Sequence, residues 1–159
     1  MKPLTEQEIR AAFVNCSKGE AKRLYVPREL PKEPWEDLDY LGWRDPRAPN
    51  RAYLVVDDTA LTLRVPSAGA ERMRRSMCSM CSTSPLGGVS LMVAPRAGQA
   101  GKRGDSVGSY FCNDFGCSLY LRGLRDPGPG GRLPETISTD SKVERLVANL
   151  TAFVGRVTA

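Results

Sequence analysis

The sequence predicts an α+β fold, a small antiparallel sheet with helices at its N-terminal and C-terminal ends. Residues 52–56 and 60–65 are rich in β-branched and aliphatic side chains and flank the turn residues 57–59 (Asp-Asp-Thr), which is the pattern of a β-hairpin. The second of these strands alternates apolar and polar residues, so we expect one buried face and one solvated face. The C-terminal segment instead carries its apolar residues at helical spacing. We expect the 159 residues to form one domain, spanning residues 1–159.

The first predicted helix spans residues 6–15. Thr5 and Glu8 have the spacing of a capping box, in which each side chain accepts a hydrogen bond from the other residue's N–H. Apolar residues then recur at helical spacing as far as Cys16, which we expect to be a packed core thiol. A second short helix is expected over 19–25, and a proline-rich irregular segment follows it.

Two tryptophans and a tyrosine, Trp35, Tyr40 and Trp43, lie within nine residues of one another. Such a cluster either fills a core or offers a surface on which nucleic-acid bases stack. Core packing is the commoner role of large aromatic side chains. We therefore expect this cluster to lie in the core.

Four of the five cysteines form two close pairs, Cys78 with Cys81 and Cys112 with Cys117. The interval between the pairs predicts two short strands joined by a glycine-rich loop, and a helix is expected to start within the second pair. A C-x-x-C turn, a hairpin and a helix start occur in this order in a treble-clef zinc finger. We therefore predict one structural Zn²⁺ bound by the four thiolates, within a treble-clef subdomain at residues 72–123. A closed four-sulfur site has no open coordination position, so the metal should maintain structure and do no chemistry.

Buried thiols, redox-active thiols and disulfides are the alternative roles for these pairs. No apolar segment follows a charged start, so we expect no secretory signal, and structural disulfides are uncommon in proteins that are not exported. These arguments favour metal binding and a cytoplasmic location. No stretch approaches the roughly 20 apolar residues that cross a membrane, so no membrane association is expected.

The wider second pair constrains the local structure, because helical residues five apart point about 140° away from each other. We therefore expect Cys112 at the end of a strand and Cys117 in the first turn of a helix that stops at Gly123. Asn113 or Asp114 is then available as the N-cap. The two strands are expected over 88–94 and 107–111. A connector over 126–134 precedes the C-terminal helix, which is expected to start near Thr139 or Ser141.

The chain contains no histidine, which removes the usual general base of Ser-His-Asp and Cys-His catalysis and the commonest ligand of catalytic metals. The glycines at 98–104 lack the Lys-Ser or Lys-Thr of a phosphate-binding P-loop. We therefore expect a protein that is not an enzyme and has no small-molecule substrate. Its net charge of +5 favours an acidic partner, such as RNA or an acidic protein face.

The loop of residues 95–105 is the best candidate for a recognition element. Six basic residues and no acidic residue lie between Arg72 and Arg103, and three glycines in the loop allow its backbone to approach a partner closely. A cationic loop of this kind suits docking on phosphate or on an acidic protein surface. A solvated, mobile hairpin tip is the alternative. The expected partner contacts are Arg74, Arg75, Arg96, Lys102, Arg103 and Tyr110.

Five segments carry a resemblance to a known family: residues 13–20 (FVNCSKGE), 38–43 (LDYLGW), 78–81 (CSMC), 88–95 (GVSLMVAP) and 110–120 (YFCNDFGCSLY). They resemble the C-terminal treble-clef zinc-finger domain of the elongation factor G-binding, fusidic-acid-resistance (FusB-type) proteins. The resemblance implies an α+β zinc domain, with the four paired cysteines as ligands, that docks on elongation factor G without catalysis. In that family, docking helps to release the factor from a drug-stalled ribosome. The resistance proteins also carry an N-terminal helical bundle, so this chain resembles a stand-alone form of the zinc-bearing domain.

Two functional hypotheses follow. The leading one is a translation-associated, ribosome-linked module that binds elongation factor G through the zinc hairpin and the basic loop. The alternative is a zinc protein that binds ribosomal RNA or another nucleic acid directly, with the same arginines on phosphates and Trp35, Tyr40 or Trp43 stacking on bases. Salt dependence separates them, because an RNA binder loses affinity steeply as salt rises.

Overall fold

The computed structural model describes residues 1–66 and 76–159. The strands are β1 Leu41–Arg44, β2 Arg51–Val56, β3 Thr59–Arg64, β4 Val89–Pro95 and β5 Ser106–Cys112. The helices are α1 Glu6–Ala12, α2 Lys18–Arg23, α3 Gly98–Lys102, α4 Cys117–Leu121 and α5 Thr139–Thr158, with short 3-10 helices at Leu30–Lys32 and Trp35–Asp37. The strands form one antiparallel sheet in the order β1-β2-β3-β4-β5. The predicted α+β class is therefore confirmed.

Both predicted hairpins are present. β2 and β3 pair along their full lengths, and Asp57 turns the chain between them with a left-handed φ of 53°. β4 and β5 pair from Val89 opposite Cys112 to Pro95 opposite Ser106. In contrast, β3 and β4 share one register pair, between Arg64 and Val93. The sheet is therefore two hairpins joined at a short junction, with β1 added along the outer edge of β2.

Asn15 reinforces this junction. Its side-chain amide donates hydrogen bonds to the carbonyl oxygens of Thr62 and Pro95, both at 3.0 Å, and its side-chain oxygen accepts from the Thr62 N–H at 2.8 Å. The preceding residue, Val14, donates its N–H to the Ala60 carbonyl at 3.1 Å. One side chain thus replaces part of the missing backbone ladder and fastens the segment after α1 to the sheet.

The sheet is buried on both faces along β2. Leu54 belongs to the core that contains α5 and the four paired cysteines, whereas the next residue, Val55, belongs to a second core formed with the N-terminal segments. This alternation follows from the pleat of a strand. The expectation of a solvated face on β3 is only partly met, because Ala60 is fully buried and Thr62 is half-buried, whereas Arg64 is exposed.

The aromatic cluster lies in the second core, apart from Tyr40, which belongs to the first. The indole N–H groups of Trp35 and Trp43 donate to the carbonyl oxygens of Leu30 and Tyr25, each at 2.9 Å. All three rings of the cluster are buried. The expected core role is confirmed, and no ring of the cluster is exposed for base stacking.

The long C-terminal helix packs on the sheet as its apolar spacing predicts. Leu146, Leu150, Phe153 and Val157 are completely buried, and the Phe153 ring meets the Phe111 ring of β5 edge-on at 5.2 Å. Val147, at the margin of the apolar stripe, is exposed. The helix starts at Thr139 behind an N-cap at Ser138, close to the expected start.

The N-terminal region differs from the expectation in three ways. α1 ends at Ala12, because a second capping box formed by Ser17 and Glu20 starts a new helix. Cys16 therefore lies between the two helices and is half-buried, so its assignment as a packed core thiol is wrong. Burial, with the charge of Glu20, raises the pKa of this thiol to about 11. Strand β1 was not predicted.

None of the helices in the described part of the chain is both long and apolar enough to cross a membrane.

Candidate metal centre

The structure brings the four paired cysteines into one cluster. All four side chains are buried, and their Sγ atoms lie within 4.8 Å of one another. The Sγ atoms of Cys78 and Cys117 are 3.7 Å apart, as are those of Cys81 and Cys112. A tetrahedral zinc site with Zn–S bonds of about 2.3 Å has edges of about 3.8 Å, so these separations fit Zn²⁺. They are far longer than the roughly 2.05 Å of a disulfide, and the five cysteines are all free.

The first pair lies on a tight turn. The Ser82 N–H donates to the Cys78 carbonyl at 2.9 Å, and Ser82 adopts a left-handed φ of 61°. The Met80 N–H points at the Cys78 sulfur, 3.4 Å away, which is the arrangement that stabilises a metal-bound thiolate. The Ser79 N–H donates to the Tyr110 carbonyl at 3.0 Å and attaches this turn to β5.

The second pair spans the predicted junction of strand and helix. Cys112 is the last residue of β5, and Cys117 is the first residue of α4. The expected N-cap is wrong, because Gly116 occupies that position. Asp114 instead stabilises the turn: its carboxylate accepts hydrogen bonds from the Gly116 N–H at 2.9 Å and the Tyr120 hydroxyl at 2.6 Å. α4 then ends before Gly123, as expected, and Gly123 has a left-handed φ of 71°.

Asn113 closes the open end of the β4–β5 hairpin beside Cys112. Its side-chain amide donates to the Gly87 carbonyl at 2.9 Å, and its side-chain oxygen accepts from the Ser90 hydroxyl. Its backbone N–H donates to the Gly88 carbonyl at 3.0 Å. The position of the second pair relative to the first is therefore set by both strands of the hairpin.

Once deprotonated, the four sulfurs of the cluster form a site that favours a cation. Hydrogen bonds from Cys112 and Cys117 lower the pKa of the Cys78 thiol, whereas burial, with the nearby thiols, raises the pKa of the Cys117 thiol. Four thiolates in this closed volume repel one another strongly unless a metal ion compensates their charge. Bound zinc would occupy all four sulfurs and supply structural stability.

Tyr40 borders the cluster. Its side chain is 1% exposed, and its hydroxyl has no oxygen or nitrogen partner among the described residues. Burial, followed by the charge and hydrogen bonding of Cys117, raises the pKa of Tyr40 well above its usual value, so the hydroxyl stays protonated. A phenol in this position is available to donate to a zinc-bound sulfur. From its sequence context Tyr40 was expected in the core or, in the alternative hypothesis, stacked on a base, so a role beside the metal ligands was not predicted.

The basic loop lies at the end of the hairpin that is remote from the cysteines. Cys112 and Ser106 are six residues apart on β5, which corresponds to roughly 20 Å. The loop is not irregular, because α3 occupies its centre. Its anchor is α5: the Ala97 N–H donates to the Val157 carbonyl at 2.9 Å, and the Arg96 guanidinium donates to the main-chain oxygen of Ala159 at 2.6 Å. The loop is therefore positioned by the C-terminal helix and not by the metal site.

The expected partner contacts do not form one patch. Lys102 and Arg103 are exposed at the tip of the hairpin, whereas Arg96 is half-buried against α5. Tyr110 is 42% exposed and lies roughly 13 Å along β5 from Ser106, close to the first cysteine pair. The last two expected contacts, Arg74 and Arg75, lie outside the described residues, as does Arg72.

The sheet, the cysteine turn, the hairpin and α4 define a zinc protein of the treble-clef class, with a closed site for one structural zinc ion. The family model of the FBP C-terminal treble-clef zinc-finger matches residues 8–157, which is nearly the whole of the sequence, and the chain belongs to this family. The resemblance inferred from the sequence is thereby confirmed. Comparison with curated proteins and with solved structures gave no significant match.

Proposed function

We propose that this protein is a cytoplasmic, non-catalytic module that binds elongation factor G and acts in connection with the ribosome. Membership of the zinc-finger family carries the proposal, because the matching segments are those that resemble the factor-binding domain of the fusidic-acid-resistance proteins. A protein of this kind acts by differential binding, favouring one state of the factor or of the ribosome.

The metal site supports a binding role. A four-sulfur zinc site has no position for water or substrate, and the sequence has no histidine to act as a general base. The zinc cluster instead fixes the turn at residues 78–82 on β5 and leaves side chains beside it exposed. The function therefore resides in the surface that the cluster supports.

Two kinds of exposed side chain suit a protein partner. Met77 and Tyr110 are 49% and 42% exposed beside the cysteine turn, and methionine and tyrosine are enriched in the cores of protein interfaces. Lys102 and Arg103 are exposed at the other end of the hairpin and suit an acidic rim. The β4–β5 hairpin thus presents an apolar end and a basic end to the factor.

Affinity capture tests the proposal. Purified zinc-loaded protein is immobilised, incubated with nuclease-treated lysate or with purified elongation factor G, and the bound factor is quantified. We expect capture that survives nuclease treatment, and a loss of affinity of about tenfold or more in the variant Tyr110→Ala with Lys102→Ala and Arg103→Ala.

The control removes the same number of positive charges elsewhere, through Lys2→Ala with Arg28→Ala, both exposed and distant in sequence from the hairpin. It should bind as the unaltered protein does. If the zinc-loaded protein captures no factor from either source, the proposed function is wrong.

A further inference from the structure

A cleft of about 840 Å³ borders the basic loop and shares Arg96 and Lys102 with the expected partner contacts. Its lining comes from three parts of the chain, namely residues 14–24, the ends of β2 and β3 with the turn that precedes β2, and residues 95–102. Asn15 hydrogen-bonds to Thr62 and Pro95 and so connects all three parts. The cleft is therefore built into the fold, at the junction of the two hairpins.

Positive side chains dominate this cleft. Among the described residues, six cationic side chains line it against two carboxylates, an excess of four positive charges in a chain whose net charge is +5. The cationic residues are Arg23, Arg47, Arg51, Arg64, Arg96 and Lys102. A concave surface with such an excess concentrates anions.

The two carboxylates offset little of this charge, because Arg47 is the one lining cation that forms an ion pair with either of them within the described residues. Asp45 is buried and accepts hydrogen bonds from the Tyr53 hydroxyl and the Arg47 backbone N–H, both at 2.8 Å, and the Arg47 guanidinium lies 3.7 Å from it. Glu20 is the capping residue of α2 and accepts from the Ser17 N–H. Both carboxylates therefore already have structural roles.

Arg51 and Arg64 mark one position in the cleft at which an anion would bind favourably. They are direct partners across the β2–β3 ladder, and both are exposed. Like charges directly opposite each other destabilise a sheet. Within residues 1–66 and 76–159, neither side chain forms an ion pair that would relieve this repulsion. A bound anion between the two guanidinium groups would remove the cost.

The chemistry of the lining favours phosphate. Five of the six cations are arginines, whose planar guanidinium groups bind phosphate through paired hydrogen bonds. The aromatic residue of the lining, Tyr53, is 2% exposed, so no ring is available to stack on a base. Val14, which is 40% exposed, is part of the lining, but the larger exposed anchors that would suit a protein partner, Met77 and Tyr110, are not.

We propose that this cleft binds the sugar–phosphate backbone of a nucleic acid without reading its bases. The proposal is distinguishable from elongation factor G binding, because Arg51 and Arg64 are not among the expected contacts with the factor, although the cleft shares Arg96 and Lys102 with them. It also requires no aromatic stacking. The positive charges of the cleft serve as contacts to successive phosphates, and the facing pair Arg51 and Arg64 is among them.

Fluorescence anisotropy with a labelled 20-base-pair RNA of arbitrary sequence tests this proposal. The zinc-loaded protein is titrated at several salt concentrations, and the slope of log affinity against log salt is measured. The double variant Arg51→Gln with Arg64→Gln should bind at least about tenfold more weakly at low salt. Its slope should be smaller by about 2, because two phosphate contacts are lost. A second RNA of unrelated sequence should give the same affinities.

A matched control, Arg28→Gln with Arg132→Gln, removes the same charge from exposed positions outside the cleft. It should retain the slope and the affinity of the unaltered protein. Equal losses in the control and the cleft variant would overturn the proposal, as would a failure of the unaltered protein to bind RNA at low salt. Binding of polyglutamate in preference to RNA would assign the cleft to an acidic protein and would equally overturn it. Capture of elongation factor G by the cleft variant is measured in parallel. A loss of RNA binding can then be told apart from a loss of factor binding.

Discussion

At the scale of single residues, three polar side chains have separable structural roles. Asn15 replaces backbone hydrogen bonds at the hairpin junction, and Asp114 organises the turn between Cys112 and Cys117. Asp45 accepts a hydrogen bond of 2.8 Å from the Tyr53 hydroxyl, and both residues belong to the lining of the basic cleft. Each of these groups satisfies polar atoms that would otherwise be buried without a partner, which costs more than an ordinary hydrogen bond contributes.

The Tyr53–Asp45 hydrogen bond predicts a pH dependence of stability. Burial, followed by the hydrogen bond to Asp45, raises the pKa of Tyr53 to about 12, whereas the unfolded chain has the usual value near 10. Since the folded state holds this proton more tightly, the contribution of Tyr53 to stability is fully present below pH 10 and is lost as the pH rises toward 12. Urea unfolding of the unaltered protein and Tyr53→Phe should therefore differ most at pH 8–9, and the difference should shrink above pH 10.

The control for this experiment is Tyr110→Phe, which alters an exposed tyrosine on β5. Its difference from the unaltered protein should be small, because the Tyr110 side chain is 42% exposed. A pH-independent difference for Tyr53→Phe would show that the Tyr53 hydroxyl does not hold its proton more tightly in the folded state.

At the scale of elements, the β4–β5 hairpin is fixed at both ends by different means. Cysteine clustering and Asn113 fix the end near Val89, and hydrogen bonds to the last turn of α5 fix the loop after Pro95. The sequence indicated only the first anchor, because a cysteine pair is a local pattern. The second depends on where a distant helix ends in space.

Strand β1 packs closely on the zinc finger at Gly42, which predicts the effect of a single methyl group. An added Cβ at Gly42 would overlap the ring of Phe115, which lies between the ligands Cys112 and Cys117. Overpacking at such a site costs about 1–3 kcal/mol. Gly42→Ala should lower the free energy of unfolding by this amount at saturating zinc, as measured by urea denaturation.

Gly87→Ala is the matched control, since a Cβ at Gly87 meets no atom within 4 Å. It should change the free energy of unfolding by less than about 0.5 kcal/mol. Equal stability of the Gly42 and Gly87 variants would mean that β1 and the zinc finger are not packed as described.

At the scale of the whole molecule, the metal cluster and the basic cleft lie in different parts of the fold. The cluster belongs to the core shared by α5 and the sheet, and the cleft lies at the junction between the hairpins. Zinc binding and folding of the first core are therefore coupled. The charged residues of the cleft, in contrast, can be replaced without loss of that core.

The coupling predicts opposite results for two kinds of cysteine variant. Cys78→Ser or Cys117→Ser should lose zinc and ordered structure, because metal binding supplies about 10 kcal/mol or more in zinc fingers, comparable to the stability of a whole domain. Cys16→Ser, outside the cluster, should retain one zinc per chain and its circular dichroism spectrum. Metal analysis of the purified variants checks both. A folded, zinc-replete Cys117→Ser protein would refute the ligand set.

Local patterns in the sequence predicted much of the fold. The first capping box, both hairpins, the C-terminal helix and the position of each ligand on its element follow from the spacing of a few neighbouring residues. β1 was missed because it has four residues and its Gly42 weakens a strand pattern. The end of α1 was misplaced because the Ser17–Glu20 capping box that starts α2 was overlooked.

The sequence by itself determined the class of fold, the zinc ligands and the absence of histidine chemistry, since residue type and short spacing decide all three. Only the tertiary structure decided where the positive charges gather. Arg51 and Arg64 face each other because of the register of β2 and β3, and Arg23 and Arg96 join them from segments far apart in the chain. Register and long-range packing depend on the whole hydrophobic core, and for that reason no local pattern reveals the cleft.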